Sequence, residues 1–131
     1  MKIPIHISED SREPIYHQVE MQIKTMIASG QLKPGSSLPS IRALASELGC
    51  SVITTRRAYQ NLEASGFIKT AQGKGTFVRE METMMKEETK HKVVQEGLEK
   101  AIEQGMQVGI SEQELHSIFR DIMVKKFKNG G

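Results

Sequence analysis

The chain has 131 residues, 37% of them hydrophobic and 26% charged, with a formal net charge of +2. That length bounds one compact domain with a small appendage. The single cysteine excludes an intrachain disulfide framework and suits a reducing cytosol, and no apolar run is long enough for a signal peptide or a membrane span.

Ile3-Pro4-Ile5-His6-Ile7 alternates apolar with other residues, which predicts a short half-buried strand, with Pro4 placing it at an edge. Asp10 to Pro14 reads as a turn and helix entry, with Pro14 at the first helical position. Ile15, Tyr16, Val19, Ile23, Met26 and Ile27 then make one helical stripe to about Ser29, and Gly30 ends it. His17 lies off that stripe and reads as a surface residue. Gln31 to Pro39 is a connection: Pro34-Gly35 is a turn signal, Pro39 disfavours helix at Leu38, and Leu32 and Leu38 are its anchors in the core.

Ser40 to Gly66 carries the strongest pattern. Ile41, Leu44, Ala45 and Leu48 form one helical stripe, Ser40 is placed to cap it, and Gly49 to close it. Ser51 caps a second helix to about Ser65. Its inward stripe is Thr55, Ala58, Tyr59 and Leu62, and its outward face carries Ile53, Arg56, Arg57 and Gln60. Two helices joined by a tight glycine-containing turn, the second basic outside, describe a helix-turn-helix. Phe67–Thr70 and Thr76–Val78 follow as two strands around a hairpin tip, Ala71-Gln72-Gly73-Lys74-Gly75. A basic hairpin there makes the motif winged. A phosphate-loop reading of Gly73-Lys74 fails, because Gly75 stands where Ser or Thr is required and Ile68 where the first glycine belongs.

The charge is unevenly spread. From Lys33 to Arg79 seven basic residues face only Glu47 and Glu63, a local net of +5. Basic charge concentrated in one module is the footprint of an anionic partner, although a solvated surface carries the same excess.

Beyond Arg79 the chain turns polar and helix-favouring. Met81 to Gln107 spaces Met84, Met85, Val94, Leu98, Ala101 and Ile102 roughly as a helix face, and residues 86–92 are a solvated run. Gly105 to Gly109 breaks the pattern. Ser111 to Glu114 is a capping box before Leu115, Ile118, Phe119, Ile122 and Met123. Lys125, Lys126 and Lys128 favour the dipole at the end of that helix, and Asn129-Gly130-Gly131 reads as frayed. Two such helices leave apolar faces that need a partner, either a second copy or the first helix of the N-terminal module. Leu98, Ile102, Leu115, Ile118, Phe119 and Ile122 are the candidate dimerisation contacts. The methionines read as gap-filling core rather than metal or haem ligands.

One set of residues runs at fixed spacing: Pro14-Ile15-Tyr16-x-Gln18, Gly30-x-Leu32-x-Pro34-Gly35-x-x-Leu38-Pro39-Ser40-x-Arg42-x-Leu44-Ala45, Leu48-Gly49-x-Ser51, Ala58-Tyr59-x-x-Leu62-x-x-x-Gly66 and Gly73-x-Gly75-Thr76-Phe77-Val78. Over about residues 10–78 this resembles the DNA-binding domain of the GntR family of bacterial transcription regulators, and the short two-helix tail resembles its YtrA subfamily. The resemblance implies a mainly α fold with a small β-hairpin. Residues 1–79 would form a winged helix-turn-helix and 80–131 a two-helix dimerisation region. It also implies a cytoplasmic homodimer repressing a nearby operon, which in that subfamily often encodes an ABC transporter. The family's DNA contacts fall on Arg42, Ser51, Thr54, Arg56 and Gly73. One position departs: where the family usually carries Arg, this chain has Val52, which with Ile53 offers only apolar contact, for instance to thymine methyls. Arg42, Lys69 and Lys74 are expected on phosphates; Ile53, Thr54, Arg56 and Arg57 on bases.

A helical interaction module without sequence-specific DNA binding is the alternative reading. An enzyme is disfavoured. His6, His17, His91 and His116 are dispersed without ligand spacing, so no metal or other cofactor is expected. Cys50 reads as a small buried residue, with redox sensing the remote alternative. No residue cluster identifies an effector.

Overall fold

The computed structural model describes residues 3–80 and 83–130, with the side chains of all but 83, 84, 129 and 130. Met81 and Gly131, and the side chains of Met84 and Asn129, therefore lie outside the described residues. The elements are α1 (Ile15–Ala28), β1 (Ser37–Leu38), α2 (Ile41–Leu48), α3 (Val52–Ala64), β2 (Ile68–Ala71), β3 (Gly75–Val78), α4 (Thr83–Gln107) and α5 (Glu112–Gly130). This is a mainly helical winged helix-turn-helix followed by a helical tail, as the sequence predicts. The chain divides into two compact units, Met1–Val93 and Val94–Gly131, with α4 running from the first into the second.

The first unit is built on α1 and α3. Val19, Ile23, Met26 and Ile27 of α1 meet Ala58, Tyr59 and Leu62 of α3 in one buried cluster, joined by Leu32, Leu38, Leu44, Phe67, Ile68 and Val78. Leu32 and Leu38 are the anchors expected of the connection. Pro14 takes the capping position of α1, one residue earlier than its spacing suggests. Ile15 is consequently the first helical residue and 39% exposed, while Tyr16 packs on the core.

Residues 3–7 do not form a strand. Ile3 is buried and Ile5 and Ile7 are half-buried, so the alternation does reflect packing. The backbone groups, however, are bound by two side-chain amides of α1. The His6 N–H donates to Gln22 Oε1 (2.9 Å) and Gln22 Nε2 donates to the His6 carbonyl (2.6 Å). Gln18 treats Ser8 in the same way at 2.8 and 3.2 Å and also donates to the Glu13 carbonyl at 2.9 Å. Two glutamines one helical turn apart present their amides on one face, which substitutes for a neighbouring strand.

Conversely, a strand lies where a connection is expected. Ser37–Leu38 pairs antiparallel with β3, Ser37 opposite Phe77 and Leu38 opposite Thr76, giving the order β1-β3-β2. The Gly35 N–H to Val78 carbonyl bond (2.8 Å) and the Val78 N–H to Ser36 carbonyl bond (2.9 Å) extend this contact. The hairpin keeps the expected register, Thr70 opposite Thr76, but each strand runs one residue further into the turn. Ala71 pairs with Gly75, leaving Gln72, Gly73 and Lys74 as the tip, with Gly73 at φ 78°.

The two helices of the motif end as their caps dictate. Ser40 Oγ accepts the Ala43 N–H (3.1 Å), and Gly49 closes α2 at φ 68°, a left-handed conformation that glycine adopts without steric cost. Tyr59 locks α3 to the segment before α2 by donating its O–H to the Pro39 carbonyl at 2.7 Å. Burial, reinforced by the negative charge of Glu47, raises the Tyr59 pKa well above the ordinary tyrosine value.

In the tail, α4 ends at Gln107, within the expected break, and the chain turns at Gly109 (φ 81°). The Ile110 N–H closes the turn on the Gly105 carbonyl at 2.9 Å. Gly105 is there for room: a Cβ at this position would stand 2.7 Å from Leu115 Cδ2. Ser111 caps α5 as expected, accepting the Glu114 N–H (3.2 Å) and donating to Glu114 Oε1 (3.3 Å). The helix then continues to Gly130, beyond the predicted fraying point at Asn129.

Candidate nucleic-acid interface

Helix α3 separates its faces sharply. Thr55, Ala58, Tyr59 and Leu62 are buried, whereas Arg56, Arg57 and Gln60 are exposed and Ile53 is 77% exposed. A large aliphatic side chain this exposed, set among basic residues, gains nothing from the fold and is available to a partner. Val52 and Thr54 are half-buried beside it.

The N-terminus of α3 is organised by Ser51. Its hydroxyl accepts the Thr54 N–H at 3.0 Å and donates to Thr54 Oγ1 at 2.8 Å. The Ser51 proton is thereby committed within the cap. The Thr54 hydroxyl keeps its own proton free to donate outward, so of the two Thr54 is the better donor to an acceptor on a ligand. Behind them Cys50 is half-buried, not fully buried as its sequence context suggests, with Sγ 3.3 Å from Thr55 Oγ1.

Two tertiary contacts of α3 were not legible from spacing. The Arg57 guanidinium lies over the Tyr16 ring of α1, with Cζ 3.9 Å from the ring centroid. At the other end of the helix, Glu63 holds the wing. Its Oε2 accepts the Thr70 N–H (3.2 Å) and its Oε1 the Thr70 hydroxyl (3.3 Å). Strand β2 is the edge of the sheet, so Thr70 offers an N–H that no strand takes, and the carboxylate of the penultimate residue of α3 supplies the acceptor. Lys69 and Lys74 are exposed on this wing, Lys74 at the tip with its N–H donating to the Ala71 carbonyl (2.9 Å). Arg42 is exposed on α2.

A capped recognition-type helix with a basic outer face, a preceding helix bearing an exposed Arg42 and a basic wing tied to the recognition-type helix are each suited to a polyanion with grooves. The family profile described as "Bacterial regulatory proteins, gntR family" matches residues 15–78. The HTH-type transcriptional repressor YtrA of Bacillus subtilis is 34% identical over 118 residues, covering 90% of this chain and 91% of that protein.

The chain belongs to the gntR family of bacterial regulatory proteins.

A second Bacillus subtilis relative, the HTH-type transcriptional regulator YhcF, is 32% identical over 92% of this chain and 95% of its own. Among solved structures, a GntR family transcriptional regulator from Listeria monocytogenes superposes with a TM-score of 0.67 at 28% identity, covering 86% of this chain and 97% of that one. As a gntR-family member, this chain is a DNA-binding transcriptional regulator, and its fold and relatives are those of a regulatory rather than a catalytic protein. Among the described residues no three His, Cys, Asp or Glu side chains come together as a metal site. No helix among them is long and apolar enough to cross a membrane.

The six tail positions expected to join two copies fall into two kinds. Leu98, Ile102, Ile118, Phe119 and Ile122 are between 41% and 52% exposed. Leu115 instead faces its own chain, packed against Gly105, and is only half-exposed.

Proposed function

We propose that this chain is a homodimeric repressor of the YtrA-like branch of its family. Residues 1–79 bind DNA and residues 80–131 join the two copies. It recognises an inverted repeat whose half-site centres lie about one helical turn, ~10 bp, apart. The exposed face of α3 carries the reading: Ile53 stands out from the helix beside Arg56, and the Thr54 hydroxyl is free to donate. Ile53, Thr54 and Arg56 read base edges, with Val52 and Ile53 meeting thymine methyls in place of an arginine–guanine pair. Arg42, Lys69 and Lys74 hold phosphates, and Gly73 lets the wing backbone approach closely. The exposed row Leu98, Ile102, Ile118, Phe119 and Ile122 supplies the dimer contact. The regulated operon encodes an ABC transporter, in keeping with that branch.

The test is fluorescence anisotropy on the best fragment from a genomic-DNA selection, titrated against random competitor at two salt concentrations. Competitor-resistant binding of two chains per inverted repeat is expected. Binding that falls equally for every sequence as salt rises would refute a specific repressor. Arg56→Ala should cost roughly 1–3 kcal/mol on the operator and relax one position, whereas Lys74→Ala should weaken all DNA alike.

A further inference from the structure

We infer that Arg57 is a phosphate clamp rather than a base reader, and that Tyr16 of α1 is the positioning residue that holds it. The inference rests on the proposal that α3 enters DNA. It starts from the contact between the two side chains: Arg57 Cζ lies 3.9 Å from the Tyr16 ring centroid, a stacking distance. The Tyr16 ring is a fixed platform, half-buried against the hydrophobic core and flanked edge-on by His17 with ring centroids 6.5 Å apart. A guanidinium stacked by its face keeps its N–H groups free at the edge, aimed sideways in one plane.

That restraint decides what Arg57 can reach. Successive helical residues point about 100° apart, so Arg56 and Arg57 cannot both lie along the line of α3 that penetrates deepest. Ile53, 77% exposed, stands on the outer face with Arg57 about 40° to one side of it and Arg56 about 60° to the other, so position on the helix alone does not separate the two arginines and the contact of Arg57 with Tyr16 does. Arg57 is drawn to the flank on which α1 lies, because its head group is held by an α1 side chain. From a helix seated in a major groove, the flank faces the sugar–phosphate ridge and the prow faces the base edges. A stacked guanidinium presenting its N–H edge matches phosphate oxygens, and it meets them with its side-chain rotamers already fixed. Spacing places a residue on a face of its helix but does not show that a distant aromatic side chain holds it.

The experiment compares Arg57→Ala, Tyr16→Leu, Tyr16→Phe and the Arg57→Ala/Tyr16→Leu double variant. Each is titrated on the selected operator and on a random duplex between low and physiological salt, after thermal melts establish that it is folded. Arg57→Ala should weaken both DNAs alike, by about tenfold, and reduce the salt slope by about 0.9 per chain, the signature of one lost phosphate contact. Tyr16→Leu should weaken binding several-fold alone and add nothing in the Arg57→Ala background. Tyr16→Phe, which keeps the ring face, should recover most of that loss. A loss confined to the operator, with one base position relaxed, would overturn the phosphate assignment. Equal Tyr16→Leu losses with and without Arg57 would overturn the clamp. If the unmodified protein itself failed to prefer operator over random DNA, the regulator reading would fall first, and the clamp with it.

Discussion

Between residues 3 and 80 most large apolar side chains are turned inward, Ile15 and Ile53 excepted: Val19, Ile23, Leu44 and Leu62 have no exposed surface at all. From Val94 onward the described residues do the opposite. Gly105 alone is buried, and Leu98, Ile102, Met106, Ile118, Phe119, Ile122 and Phe127 stand between 41% and 70% exposed. The two regions have similar apolar periodicity in the sequence, so periodicity does not distinguish a finished core from half of one. What distinguishes them is the number of layers. The first unit has a layer of helices and a sheet to close around its apolar surface, whereas the second holds only the end of α4 and α5, joined by a four-residue turn. In the proposed dimer a second copy covers these side chains, and each, already partly covered by its own chain, gains on the order of 1 kcal/mol from the burial.

The widest break in this comparison would come from charging the tail. Ile118→Asp with Phe119→Asp should abolish the dimer in sedimentation equilibrium and lower operator affinity by ~100-fold or more, since each half-site must then be bound independently. The fold of the first unit should persist in the same variant. A dimer that survived would show that the exposed row is not the joint. Next in size is the converse experiment. Leu62→Ala removes a fully buried side chain from the first unit and should cost about 2–5 kcal/mol in urea unfolding, with little change in subunit affinity measured in the folded range.

A sharper test lies at Gly105. Gly105→Leu forces the new side chain against Leu115, whose Cδ2 would already be 2.7 Å from a Cβ. Separation of α4 and α5 should weaken dimerisation by roughly 1–3 kcal/mol, and Leu115→Ala in the same chain should restore part of it. The smallest effect belongs to Tyr59. Its pKa is raised in the folded state, so folding favours the protonated phenol. The stability this supplies is complete below the unfolded value, about 10, and is lost as pH rises beyond it. Unfolding followed from pH 8 to 11 should therefore show a steeper alkaline decline than in Tyr59→Phe, which lacks both the ionisation and the bond to Pro39.

What the sequence showed best was what depends on near neighbours. Ser40, Gly49, Ser51 and Ser111 cap or close their helices as their positions require, because a cap is a contact across three or four residues. The strand at Ser37–Leu38 is not legible in the sequence, because two residues carry no periodicity and its partners, Thr76 and Phe77, lie far along the chain. The segment around His6 misled for the complementary reason. Its alternation is real, but the groups that satisfy its backbone are the amides of Gln18 and Gln22, which no strand pattern encodes. At the interface the outward face of α3 was legible, whereas the capture of Arg57 by Tyr16 and of Thr70 by Glu63 was not. Both are side-chain choices made after the elements have packed.

The Glu63 brace has a consequence for how DNA must behave. In the proposed complex, a reading helix fastened to its wing through two hydrogen bonds resists changes in the spacing between them. A duplex whose groove differs from that spacing then has to narrow or bend to meet both. Deforming DNA costs more in stiff steps than in pliant ones. Preferences would therefore be registered at base pairs beneath the wing that no side chain touches, and loosening the brace with Glu63→Ala would flatten those preferences while leaving the positions under α3 unchanged.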